Sequence, residues 1–279
     1  MPGCDRSVRV YPVAEGIFEK RRRIMKRTAK ILLSVLLTAA ISFGAFGCSK
    51  TKESTGSAGA DTKKGEGVMT YAEYVAAAID SEVTVETYVQ AKQGWWKNEG
   101  VGMSSFYTQD ADGAYFIYNM PCSEEEYMKL AAGTKIKVTG YKSEWSGEYE
   151  IVDAKFVIED GNYVASPVDV TDKLASSDLI NYQNMFVSFK GMKVEAMDDD
   201  GCAFFYGWDG SGSEGDDLYF KVSSNGQTYS FTVESYLTGS ETDVYKAVKG
   251  LNVGDTVDME GFLYWYEGAN PHITKVTVK

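Results

Sequence analysis

Two stretches of the chain each carry three glycines at an interval of seven. The first runs Gly133-Thr-Lys-Ile-Lys-Val-Thr-Gly140-Tyr-Lys-Ser-Glu-Trp-Ser-Gly147. The second runs Gly254-Asp-Thr-Val-Asp-Met-Glu-Gly261-Phe-Leu-Tyr-Trp-Tyr-Glu-Gly268. Between the first two glycines of each copy, apolar and polar residues alternate, as in a strand with one buried face. The middle glycine suits a bulge or a sharp bend in that strand. The third sits at or just past a turn, and another strand follows, Glu148 to Ile158 in one copy and Ile273 to Lys279 in the other. The chain therefore holds a strongly bent strand pair twice over.

What precedes each copy also repeats. Ser123-Glu-Glu-Glu126 reads as a capping box that opens a short helix to about Ala132, and Ser240-Glu-Thr-Asp243 opens another to about Lys249. Before the first helix lie strand-like runs at Val83 to Ala91, Met103 to Thr108 and Ala114 to Asn119. Before the second lie Phe186 to Glu195, Ala203 to Trp208 and Leu218 to Ser223, with a further hairpin arm at Thr228 to Val233 turned by Asn225-Gly226. In front of the first copy, Tyr71 to Asp80 reads as an added helix that closes one end of a barrel.

Three strands, a short helix and two strands is an order that resembles the OB-fold over about 80–159 and 183–279. The resemblance implies a mainly β protein of two tandem small OB-fold-like β-barrels. It also implies ligand binding on loops and one strand face of each barrel. The expected division is 68–160 for the first domain with its leading helix and 161–279 for the second, joined near Glu159 to Pro167.

The start of the chain reads as an export leader. Lys26, Arg27 and Lys30 precede an apolar run from Ile31 to Phe46, of 16 residues, where a membrane span needs about 20. Ala45-Phe46-Gly47-Cys48 resembles the lipobox of bacterial lipoproteins. That resemblance implies a signal peptide over 1–47, with Met25 as the better initiator, lipidation at Cys48, and an extracytoplasmic protein anchored to a membrane by lipid. Residues 48–67, rich in Ser, Thr, Gly and Lys, read as a flexible tether.

From Cys48 onward there are 19 basic and 37 acidic residues, a net charge near −18, and no arginine occurs after Arg27. Phosphate recognition leans on arginine forks and lysine-rich faces, so this balance disfavours nucleic acid. It suits a neutral polymer or a protein partner. Cys122 and Cys202 read as two buried, unpaired thiols, with a bridge between them as the alternative.

Little in the chain carries catalysis. His272 is the single histidine and reads as a turn or strand-start residue. No catalytic residue is assigned; a carboxylate-based hydrolase is the alternative. No cofactor is expected. The loop with Asp209, Ser211, Ser213 and Asp217 alternates oxygen donors with glycine, as a calcium loop would, but departs from the EF-hand spacing.

Aromatic residues are the stronger signal. There are 19 Tyr, 13 Phe and 5 Trp, and several fall in expected loops. Trp95 and Trp96 lie between the first two strands of copy one, and Trp145 between its last two. Tyr264, Trp265 and Tyr266 hold the matching place in copy two. Such rings stack on bases or cover sugar faces; equally, they plug barrel ends or join domains. The leading expectation is a non-enzymatic binding lipoprotein for a neutral polysaccharide or a protein segment. The alternatives are single-stranded nucleic-acid binding, drawing on Lys135, Lys137, Lys142 and Lys155, and a structural subunit of an envelope complex.

Overall fold

The structure, a computed structural model, describes residues 60–279. The leader, Cys48 and the first part of the expected tether lie outside the described residues. Residues 60–67 lie against the first barrel. Lys64 Nζ meets Asp110 Oδ2 at 2.6 Å, and Ala60 packs on Tyr88 and Tyr163.

In the first half, Thr70 caps α1 (Tyr71–Ala76), shorter than the expected helix, and Tyr74 carries it into the core. Then come β1 (Glu82–Lys92), β2 (Trp96–Asn98), β3 (Val101–Gln109), β4 (Ala114–Pro121), α2 (Glu124–Lys129), β5 (Thr134–Trp145) and β6 (Glu148–Asn162). Ser123 and Glu126 form the expected capping box at the start of α2. The strand order is β1-β5-β6-β4-β3-β2, and a β1–β3 pairing closes the sheet into a barrel. β4 and β6 run parallel, and the other pairs antiparallel.

The second half repeats this closure. After β7 (Val168–Asp169) and two 3-10 turns come β8 (Phe186–Glu195), β9 (Phe204–Tyr206), β10 (Leu218–Ser224) and β11 (Gln227–Val233). Then follow α3 (Ser235–Thr238), α4 (Asp243–Lys249), β12 (Thr256–Phe262) and β13 (His272–Val278). Their order is β7-β8-β12-β13-β11-β10-β9, closed by β8–β10, with β11 parallel to β13. Both barrels thus share one path: first strand to second, second to third, third parallel to fifth, fifth to fourth, fourth back to first. That path and the helices between strands three and four define two tandem OB-type barrels in a mainly β chain.

Three readings of the second copy change. The run at 203–208 is not the second barrel strand; it shortens to β9, an edge strand on β10. The arm at 228–233 is instead the third barrel strand, turned from β10 by Asn225 and Gly226, both at positive φ as a tight hairpin demands. The last helix is capped by Thr242, whose hydroxyl accepts the Tyr245 N–H, two residues beyond the expected Ser240.

The repeated glycines do what their spacing suggests. Gly140 sits at a register shift between Thr139 and Tyr141. A Cβ there would stand 2.7 Å from both Ile151 Cγ2 and the Val152 carbonyl oxygen. Gly261 sits at the matching shift in β12, pressed on the backbone of His272 and Ile273. Each bulge bends its strand around a core: one centred on Phe106, Ile117, Ile136 and Val138, the other on Phe189, Phe220, Phe231 and Met259. Cys122 is buried and free, as expected, whereas Cys202 is buried but disulfide-bonded, so it is not a second unpaired thiol and the two do not pair. Among the described residues no helix is long and apolar enough to cross a membrane.

Candidate functional site

An OB-type barrel takes its ligand on the outer face of its second and third strands and on the loops at that end. In the first barrel those strands are β3 and β4. Their inward residues, among them Phe106 and Ile117, fill the core, which turns Tyr107, Phe116 and Tyr118 outward. That face is covered by the second barrel. Tyr107 stacks on Phe262 with centroids 4.5 Å apart and planes at 15°, and Phe116 meets Tyr264 edge-on at 5.5 Å. Phe186 and Leu237 complete the cluster.

Polar groups fasten the same junction. The Tyr107 hydroxyl and His272 Nδ1 are 2.8 Å apart, and Glu234 Oε2 lies 3.3 Å from that nitrogen. Gln93 Nε2 donates to Glu234 Oε1 at 2.7 Å. Glu148, wholly buried, accepts from the Trp265 backbone N–H and from Asn184 Nδ2. The Glu267 N–H donates to the Ser146 carbonyl at 2.7 Å, and Gln183 Nε2 to that of Gly147 at 2.8 Å. Burial pushes the Tyr107 hydroxyl well above its ordinary value, and the nearby carboxylates add to that. His272 does start a strand, as expected, and its ring lies stacked on Tyr264 at 4.4 Å.

On the corresponding face of the second barrel the outward side chains of β9 and β10 are half-buried. Leu218, Phe220 and Val222 point into its core, so Tyr219, Lys221 and Ser223 of β10 point out. Phe205 of β9 pairs directly with Tyr219, and Lys221 pairs with Ser230 on β11. The row Phe205, Tyr219, Thr232, His272 crosses four strands and ends at the junction with the first barrel. The Tyr219 hydroxyl is pushed up to about 12 by burial first, then by Asp217, Glu234 and Tyr266. Tyr266, 44% exposed, therefore flanks the row from the loop between β12 and β13, and Trp208, 69% exposed, stands in the loop after β9. Phe205, Tyr219 and Lys221 are half-buried, whereas Thr232 and His272 are buried, so the accessible part of the row is its outer end on β9 and β10.

The aromatic residues picked from the sequence scatter. Tyr264 lies in the junction, and Trp265 packs on the second core and over Gly147. Trp145 ends β5, half-buried. Trp95 packs on the first core and Trp96 begins β2 at the surface. Of the six, Tyr266 alone borders the row through Phe205 and Tyr219. Phe205, Tyr219 and Lys221 were missed. Their signal was parity: they take the polar positions of strands whose alternate residues are core.

The loop over 209–217 is tied up internally. Asp209 Oδ1 accepts from the Ser211 N–H and hydroxyl, which holds its carboxyl below the usual range. The Ser213 N–H goes to Asp216, and Asp217 Oδ1 accepts from the Ser235 N–H and hydroxyl. Among the described residues no group of three or more His, Cys, Asp or Glu side chains is placed to hold a metal. The lysine cluster also disperses: Lys142 is buried, and Lys135 is engaged by Glu86 and Glu159.

No protein-family model matches the chain, and no curated protein matches it. Solved structures similar to it include a murine DNA binding protein bound with double-stranded DNA, at 11% identity and TM-score 0.34, covering 70% of this chain and 96% of that one. The p204 HINb domain, also at 11% and 0.34, covers 73% and 100%. A replication protein A heterotrimer bound to single-stranded DNA, at 11% and 0.29, covers 70% and 49%. DNA-bound proteins thus stand among the structural neighbours, and on that finding the expectation that disfavoured nucleic acid is withdrawn. That expectation rested on the summed charge, which does not describe any one face of the chain.

Proposed function

We propose that the protein is a non-enzymatic binding protein that takes an extended single strand of nucleic acid across the outer face of its second barrel. The observation that carries this reading is the asymmetry of the two ligand faces. One is filled by aromatic contacts between barrels; the other carries Phe205, Tyr219 and Lys221, half-buried and outside that aromatic cluster. Every base has a flat π-face, so a ring platform suits such a strand without reading its sequence. Few cations attend it. Lys221 reaches the Met197 carbonyl, and Lys193 lies near Glu195. Stacking rather than phosphate neutralisation then supplies the affinity.

Fluorescence anisotropy of a labelled oligothymidine across a salt series tests the proposal. A single strand gives a slope of about −0.7 per phosphate neutralised, so two lysines predict a slope no steeper than about −1.4. Tyr219→Ala should cost about 1–3 kcal/mol of binding. No binding by the native chain, or retention of a neutral glycan in place of DNA, would overturn the nucleic-acid reading. The leader supports a further part of the proposal, that the mature chain begins at lipidated Cys48 and works outside the cytoplasm. The mass of the mature N-terminal peptide tests it.

A further inference from the structure

Beside β2, away from the face proposed for nucleic acid, the first barrel carries a groove of about 500 Å³ lined by Trp95, Lys97, Val101, Pro121, Cys122 and Glu124. Trp95 is its fixed wall. The ring packs on the core, and Nε1 donates to the Cys122 carbonyl at 3.0 Å. Lys97 Nζ stands 5.0 Å from the ring centroid, so this indole already attracts a cation. α2 opens at the same groove with Glu124, Glu125 and Glu126 in its first turn. Glu126 accepts from the Ser123 N–H and hydroxyl, which lowers its pKa and keeps it charged. Glu124 is exposed and, among the described residues, has no ion pair. In the lining Val101 is 49% exposed, and β2 is the outermost strand of its sheet.

We infer that this groove docks an extended, basic segment of a partner protein, with one lysine side chain lying along Trp95 and its ammonium between that ring and Glu124. The aliphatic stem of lysine covers apolar surface while its head stays with the carboxylates. An extended segment can add to the edge of β2 by backbone hydrogen bonds. The acidic surface of the chain draws basic segments toward it. Lys97 occupies the ring face that the incoming ammonium needs, so it acts as a competitor.

The test follows the Trp95 indole N–H resonance of the full chain during titration with the peptide acetyl-Gly-Val-Lys-Val-Gly-amide. A saturable shift is expected, absent when Glu replaces Lys in the peptide. Glu124→Gln should weaken binding about threefold, and Lys97→Met should strengthen it by a similar factor. Both positions are exposed, so both variants keep the fold. Equal weakening by Glu241→Gln, in the other barrel, would reduce the effect to diffuse acidic attraction and overturn the inference. Saturation by spermidine but not by the peptide would overturn it too, leaving a small-cation site.

Discussion

Lys142 is 2% exposed, yet it is a lysine on a strand position that faces the core. Its ammonium donates to the carbonyls of Tyr74, Val75 and Ala77, which end α1, and it lies over the rings of Tyr74 and Tyr149. Burial lowers its pKa, and the three carbonyls and two rings offset the cost of desolvation. Lys142→Met should remove the ammonium donor from the Val75 and Ala77 carbonyls, while that of Tyr74 keeps the Ala77 N–H, and cost about 2–4 kcal/mol, read by urea unfolding. Tyrosine is the other residue that decides behaviour. Burial raises Tyr71 to about 12 and pushes Tyr74, Tyr107 and Tyr115 well above 10. In the unfolded chain these hydroxyls ionise near 10, while in the fold they keep their protons. Their contribution is therefore intact below pH 10 and lost as pH rises beyond it. Four such groups give roughly 5 kcal/mol per pH unit at the steepest. Absorbance at alkaline pH should show their ionisation coinciding with unfolding; gradual ionisation of a folded chain would contradict this.

At the scale of elements, the bulges and caps carry the fold. Gly140→Ala would drive a methyl group into Ile151 and the Val152 carbonyl, and should cost about 1–3 kcal/mol in thermal or urea unfolding. The capping-box carboxylates Glu73 and Glu126 are held below the usual glutamate range by the N–H and hydroxyl groups of Thr70 and Ser123. Their help is present above the ordinary glutamate pKa and fades as pH falls through their lowered values. These were also the features most legible in the sequence. Glycine spacing marked both bulges, Ser123 marked α2, and runs rich in Val, Thr, Phe and Tyr, with alternation in β5, placed the main strands of the first barrel. The second barrel was harder because a long insertion separates β8 from β10. Phe204–Tyr206 looked like a full strand, and the true third strand looked like a spare arm. Residues of the junction gave no local signal, since Tyr107, Glu234 and His272 meet only through the fold.

The described chain behaves as one unit because the face that would hold a ligand on one barrel holds the other barrel instead. Tyr264→Ala should lower stability by about 2–4 kcal/mol and leave single-strand binding unchanged, since its ring lies between Phe116 and His272. Tyr219→Ala should do the reverse. Hydrogen exchange of the full chain, with and without oligothymidine, tests the central claim most directly. Protection confined to β9, β10 and β11 is the predicted result. Protection of β3 and β4 in its place would mean that the barrels part to admit the ligand, and would contradict the account.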